Sequence, residues 1–387
     1  VKQRSSALGA MSVEHFFKEY WQKKPLLIRQ GLPDFNNPLS IDEIAGFACD
    51  ELIESRLIIE TSEPSGWQVQ DGPFESSTLH ALPDSHWTLH VQSVDHYVPD
   101  VYNLLDHFRF IPNWRIDDVM VSCSSDSGTA GPHYDQYDVF LIQGLGNKLW
   151  KIGQKCDQQT ALLPDTELSI LKDFQTTEEW LVKPGDILYI PPQYAHYGIA
   201  QGQSITYSIG FRAPGHGEIL SEFSYFQEQR SNAHQRYQDP DLTVQNNPGE
   251  LSEQFIDKVQ SILREQVNDR SSIAEWLGEF VTREKIETEE ILPEQPLTVE
   301  QLLPLIQASN EFCWSEGARF AYIQKNESIY FYVNGNRFKV EPAALRCIQR
   351  LCCSTRIKAN ELLPFLKDTN CATMLCQLYN NGFCYYS

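Results

Sequence analysis

The chain has 387 residues, 52 of them acidic against 31 basic, a formal net charge of −21 and a pI near 4.8. Its length calls for two or three domains, and so acidic a surface argues against direct binding of free nucleic acid and favours a basic partner. No run of about 18 apolar residues exists to cross a membrane and the N-terminus lacks the apolar core of a signal peptide, so a cytoplasmic protein is expected; the scattered cysteines, with no Cys-x-x-Cys pair, fit reduced thiols. Val1 to Ala10 reads as a remnant of added sequence or a frayed leader and is kept out of the fold reading. Val13 to Gln22 places Phe16, Phe17, Tyr20 and Trp21 at the spacing of a helix face, and Lys24-Pro25-Leu26-Leu27-Ile28 starts a strand. Ser40 to Glu51 reads as a second helix, with Ser40 as N-cap and Asp42 and Glu43 in its first turn. Trp67 to Val69 and Trp87 to Val94 read as strands and Pro99 to Phe108 as a helix.

His133-Tyr134-Asp135 follows. Side chains two apart on a strand share a side, so His133 and Asp135 can bind one metal while Tyr134 faces away. The apolar run Val139 to Ile142 puts this pair at a strand's start. Lys183 to Pro192 reads as turn, strand, turn, with Pro191-Pro192 ending the strand and leaving His196 just past that end, over the mouth of a small barrel. Two imidazoles and a carboxylate on one face of a divalent iron leave its other positions open, as non-haem oxygenases require. A surface histidine beside a solvated aspartate is the plainer alternative. Gly144-Leu145-Gly146-Asn147 reads as a reversal that returns Lys148 antiparallel beside the metal strand. Alternation in Lys148-Leu149-Trp150-Lys151-Ile152 suits an exposed edge lysine equally well; an inward-pointing one would need an anion. Tyr137 and Asp138 are candidates to hold a guanidinium by stacking and charge, with a structural role as the alternative. His216-Gly217-Glu218 has the two-apart spacing without a strand after it and reads as linker; His15, His80, His86, His90, His96, His107 and His234 show no ligand spacing and read as satisfied or exposed.

Beyond Gly217 the pattern turns to polar helices, Glu218 to Arg230, Gly249 to Val267 and Ser271 to Glu284. Ile219, Phe223 and Phe226, and Phe255, Val259 and Ile262, form apolar stripes of the kind that more often pack internally. Pro293 to Pro296 marks the next boundary. The remainder reads as a helix at Thr298 to Ala308, a hairpin at Asn334-Gly335, helices at Ala343 to Cys352 and Ala359 to Leu366, and a last strand at Phe383 to Tyr386. Helices with a small hairpin suggest a winged helix. Without a basic run, packing or partner contact is favoured over DNA binding.

Four segments, Trp114 to Asp118, Gly131 to Phe140, Pro184 to Pro192 and Tyr207 to Pro214, resemble the Jumonji-C ribosomal oxygenases. Within that family they are most similar to the bacterial group that hydroxylates an arginine of large-subunit ribosomal protein sixteen. The resemblance is dense from about Phe16 to Pro214 and looser beyond. It implies an α+β chain: a double-stranded β-helix of the Jumonji-C (cupin) type, then a helical dimerisation region, then a winged-helix-like domain. The expected limits are 11–215 for the oxygenase domain, with its barrel at about 95–214, then 216–292 and 293–387. Fe(II), 2-oxoglutarate and dioxygen are the expected cofactors and co-substrates. By position, His133, Asp135 and His196 match the iron ligands, Lys148 the cation for the distal carboxylate of 2-oxoglutarate, and Ser124 a hydroxyl that assists it; Ser208 is added as a further contact. The bacterial relatives carry arginine where Lys148 stands; lysine keeps the charge and loses the two-pronged fork.

The resemblance therefore implies an Fe(II)- and 2-oxoglutarate-dependent hydroxylase that acts as a homodimer on a basic ribosomal protein; the acidic charge and the lack of an apolar span argue against direct contact with nucleic acid or membrane. The same triad serves histidine hydroxylases and lysine demethylases, so the triad does not identify the target. A cupin-type small-molecule enzyme and a catalytically silent assembly factor are the competing classes; the former would need neither Lys148 nor the appended domains.

Overall fold

Runs rich in β-branched and aromatic residues build a nine-stranded sheet in the first half of the chain. The computed structural model describes residues 7–61, 66–164, 166–232, 234–285, 292–325 and 328–387. The strands are β1 (Leu26–Ile28), β2 (Ser55–Glu60), β3 (Trp67–Asp71), β4 (Trp87–Val91), β5 (Ile116–Ser124), β6 (Asp138–Lys155), β7 (Glu178–Val182), β8 (Ile187–Ile190) and β9 (Tyr194–Phe211). Their order is β1-β8-β6-β9-β5-β4-β2-β3, with β7 also paired to β6, and the neighbours run antiparallel. The sheet curls, because side chains from β4, β5, β6 and β9 all line one cavity. This is the cupin-type architecture of the Jumonji-C fold.

The long strands β6 and β9, 18 residues each, set the geometry of that cavity. Gly144 to Asn147 is not the expected reversal: β6 runs straight through it, and its register against β9 slips on both sides of Leu145. Gly146, at φ +64°, approaches Gln203 so closely that a Cβ would collide with the carbonyl oxygen. A bulge needs the same left-handed glycine as a turn, so the local signal does not separate them. His133 and Asp135 precede β6 in an extended segment, tied to the sheet by a two-bond bridge between His133 and His196. His196 lies within β9, not past a strand end, because the prolines after β8 turn the chain straight into a new strand.

The helices α1 (Val13–Glu19), α2 (Ile41–Ala48), α3 (Ser76–His80) and α4 (Pro99–Leu104), with a 3-10 turn at Leu105–Phe108, flank the sheet. Phe16 is fully buried against Phe140 and Tyr189, with ring centroids 5.7 and 5.1 Å away. Ser40 and Glu43 close a capping box on α2. Ala7 and Leu8 are buried in the core, and the Ala7 amide donates to His107 at 3.1 Å, so the end of the supposed leader is packed into the fold.

Three helices follow, α5 (His216–Arg230), α6 (Glu253–Asn268) and α7 (Arg270–Thr282). The α5 stripe packs internally, Phe223 meeting Trp276 at 5.4 Å beside Phe280. The α6 stripe does not: no residue of that helix is buried, and Ile256, Val259, Ile262, Leu263 and Val267 are exposed. The end of the expected helical region, 286–291, lies outside the described residues. The C-terminal part holds α8 (Val299–Ala308), β10 (Glu311–Trp314), β11 (Phe320–Lys325), β12 (Ser328–Val333), β13 (Asn336–Val340), α9 (Leu345–Leu351), β14 (Arg356–Lys358), α10 (Thr369–Asn380) and β15 (Cys384–Tyr386). Asn334-Gly335 turns β12 into β13, with Val333 opposite Asn336. The helix expected at Ala359 to Leu366 is a 3-10 segment, Ala359–Lys367, with Pro364 inside it. This part docks on the sheet's approach: Tyr102 donates to the Ala318 carbonyl at 2.8 Å, and the Thr355 amide donates to Asp106 at 2.9 Å. Among the described residues no helix is long and apolar enough to cross a membrane.

Candidate active site

The β6–β9 pairing and the His133–His196 bridge bring three side chains together. The ligand atoms of His133, Asp135 and His196 lie within 4.8 Å of one another, His196 Nε2 is 3.6 Å from Asp135 Oδ2, and the two imidazole centroids are 4.3 Å apart. His133 Nδ1 lies 2.9 Å from the Gly131 carbonyl and His196 Nδ1 lies 3.0 Å from the Tyr194 carbonyl. A carbonyl only accepts, so both Nδ1 atoms carry the proton and both Nε2 lone pairs remain for a cation. Burial, with His133 beside it, holds His196 down at about 4, in the neutral state that metal binding requires. The donor set fits a divalent metal on one face.

The triad opens into a cavity of about 540 Å³. Lys148 reaches it from β6, pairing there with Val182 and Ala200. It is buried, not the exposed edge lysine of the plainer reading, and burial lowers its pKa to about 8. Trp150, two residues on, lies between Lys148, whose Nζ is 5.3 Å from the ring centroid, and His196, 5.9 Å away. Ser208 lines the cavity, as does Tyr137 at its outer side. Ser124 lies on the same face of β5, buried, its hydroxyl 2.7 Å from that of Thr88; Ser122, two residues earlier, lines the cavity.

Asp138 requires correction as a substrate contact. It is fully buried and accepts from Tyr189 Oη at 2.6 Å, Gln22 Nε2 at 2.9 Å and Arg115 at 3.2 Å, and it does not line the cavity. As the first residue of β6 it points away from the metal side and ties the N-terminal segment to the sheet. Burial is the largest influence on its carboxyl and raises its pKa despite these partners.

Several cavity residues carry no signal in local spacing. His90 on β4 lines the inner wall, and burial, reinforced by Lys148 and His133, pushes it down to about 3, so it stays neutral. Glu54, Asp117 and Asp118 give the cavity an acidic side, and Lys285 closes against it. Adjacent acids in the otherwise apolar Ile116-Asp117-Asp118-Val119-Met120-Val121 were the available clue, because a buried acid in a strand needs a partner.

A cupin-type barrel with a two-histidine, one-carboxylate metal face defines a Jumonji-C type of centre. The family pattern for a JmjC domain matches residues 103–219 and that for a ROXA-like winged helix matches residues 264–385. The Escherichia coli (strain K12) ribosomal protein uL16 3-hydroxylase is 33% identical over 96% of this chain and 96% of its own. The structure of the Escherichia coli ribosomal oxygenase YcfD with cobalt and 2-oxoglutarate has a TM-score of 0.84, 32% identity and coverage of 98% of this chain and 99% of that one. A bifunctional lysine-specific demethylase and histidyl-hydroxylase from Aedes aegypti is 25% identical over 56% of this chain and 33% of its own length. The chain belongs to the Jumonji-C ribosomal oxygenases and is a dioxygenase of that family.

Proposed function

We propose that this protein hydroxylates carbon 3 of an arginine side chain in the large-subunit ribosomal protein uL16, using Fe(II), 2-oxoglutarate and dioxygen. The observation that carries this reading is one cavity holding the His133–Asp135–His196 triad, a buried lysine and an acidic side at Asp117 and Asp118. When bound, iron and 2-oxoglutarate supply the oxidant for hydroxylation of an unactivated C–H bond, with succinate and carbon dioxide as co-products. His133, Asp135 and His196 hold the metal on one face. Lys148 offers a positive charge to the distal carboxylate of 2-oxoglutarate, in a wall where little else would compensate that charge. Ser124 and Ser208 serve as hydroxyl partners of the same co-substrate. Tyr137 flanks the incoming side chain, and Asp117 and Asp118 attract its guanidinium, which favours arginine over neutral histidine. The likeness to the Escherichia coli enzyme supports uL16 as target, and the net charge of −21 suits so basic a partner in the cytoplasm.

We divide the chain into an oxygenase domain at 11–215, a helical region at 216–292 and a winged-helix-like domain at 293–387, and we infer a homodimer formed through the exposed stripe of α6. Mass spectrometry of uL16 from cells with and without this chain tests the activity. A 16 Da gain confined to one arginine of uL16, present only with the chain, is the expected result; an unmodified arginine in both overturns the target.

A further inference from the structure

We propose that His90 is a contact for the distal carboxylate of 2-oxoglutarate, its imidazole N–H supplying, beside Lys148, the second prong that a lysine lacks. The inference rests on the co-substrate role proposed above for Lys148. His90 stands on β4 opposite Ser122 of β5, which in turn stands opposite Thr206 of β9. The three form one row across the wall, and all line the cavity that holds the metal triad and Lys148. Burial, more than any charge, keeps the imidazole neutral; of the charges, Lys148 acts on it most strongly and His133 next, as befits a ring close to both the lysine and the metal face. A neutral imidazole has one N–H to donate.

The wall around it leaves few other donors. Among the described residues no hydrogen bond engages either ring nitrogen of His90 or the Lys148 ammonium. Ser122 Oγ donates to the Thr206 carbonyl at 3.4 Å and Thr206 Oγ1 to Gln143 Oε1 at 3.2 Å, so these two hydroxyls spend their protons on the wall itself. The Trp150 indole N–H also lacks a partner, but packing closes it off. A carboxylate offers two oxygens with about four lone-pair sites, and an ammonium meets it as a point donor, where an arginine would bring a fork to both oxygens. His90 answers that shortfall. An apolar side chain would line the same wall without leaving a half-buried imidazole unpaired, a cost that a bound carboxylate removes.

The test measures dissociation constants of the full chain, loaded with Fe(II) under nitrogen, for 2-oxoglutarate and for 2-oxopentanoate, which carries a methyl group where the distal carboxylate stands. His90→Leu is expected to weaken 2-oxoglutarate about tenfold, the loss of a hydrogen bond to a charged group, and to leave 2-oxopentanoate unchanged. His90→Gln, which keeps a neutral N–H, is expected to retain most of the 2-oxoglutarate affinity. His90→Phe keeps a ring without its nitrogens and makes the same comparison if the leucine variant fails to fold. Unchanged 2-oxoglutarate affinity in His90→Leu and His90→Phe, or equal weakening of both ligands, overturns the inference and makes His90 a filler of the wall. The role proposed for Lys148 fails separately, if Lys148→Met binds 2-oxoglutarate as tightly as the unaltered protein does.

Discussion

Lys148 places its charge where the protein alone does not compensate it. Its pKa is about 8 instead of the ordinary 10.5, because burial disfavours the ammonium. For a base depressed on folding, the cost is fully present below the folded value and fades as pH rises from about 8 toward 10.5. At neutral pH that cost is on the order of 3 kcal/mol. An anion in the cavity offsets it, so stability of the empty protein and affinity for 2-oxoglutarate are opposed at this residue. Lys148→Met is expected to raise the thermal midpoint of the metal-free protein by a few degrees at neutral pH and to weaken 2-oxoglutarate by roughly a hundredfold. Calorimetry on both forms checks this, and an unchanged midpoint with unchanged affinity contradicts it. The legible part of the site was the part written locally. His133 and Asp135 are two apart, and Pro191-Pro192 flags the turn before His196. His90, Asp118 and Lys285 were illegible as a group, because strand pairing and helix docking bring together residues far apart in the chain. Asp138 misled for the converse reason: proximity to the triad in sequence put its side chain against Gln22, Arg115 and Tyr189 instead of the cavity.

Between residue and molecule, the pair β6 and β9 governs how precisely the cavity is built. Trp150 on β6 faces Gly198 on β9, and a Cβ on Gly198 would lie 2.8 Å from the indole's six-membered ring. The ring covers the glycine, and this close approach holds Trp150 between Lys148 and His196. Gly198→Ala must therefore move the indole into the cavity or spread the strands. A loss of about 1–3 kcal/mol in urea unfolding is expected from such overpacking, with weaker 2-oxoglutarate binding because the indole encroaches on its wall. Wild-type stability together with wild-type affinity would show that Trp150 has room to yield. Alternation and β-branched residues made β1, β3, β4, β8 and parts of β6 readable, as did the turn residues that bound β8, whereas β2, β5, β7 and β9 were not read as strands. Register and the bulge at Gly146 were not readable, since they depend on a partner strand some fifty residues later, and a glycine-rich run serves bulge and turn alike.

At the scale of the molecule, α6 stands apart because nothing among the described residues covers its apolar stripe. Ile256, Val259, Leu263 and Val267 recur at intervals of three and four along 16 residues, with Ile262 beside them, and all are exposed. A helix of that length draws most of its stability from packing an apolar face, and here that face is open to water. The same periodicity in α5 is buried against α7, so the pattern alone could not tell an internal stripe from an external one. A second copy would bury both stripes about a two-fold axis, each helix presenting the same face to its partner. Val259→Asp combined with Leu263→Asp is expected to convert a dimer to a monomer in sedimentation velocity. Salt gives an independent check on what drives the contact. Each chain carries a net charge of −21, so two chains repel, and screening that repulsion leaves the apolar burial intact. A dimer held by α6 should therefore tighten between low and moderate ionic strength; one that loosens as salt is added would place the contact on charged surfaces and remove α6 as its basis.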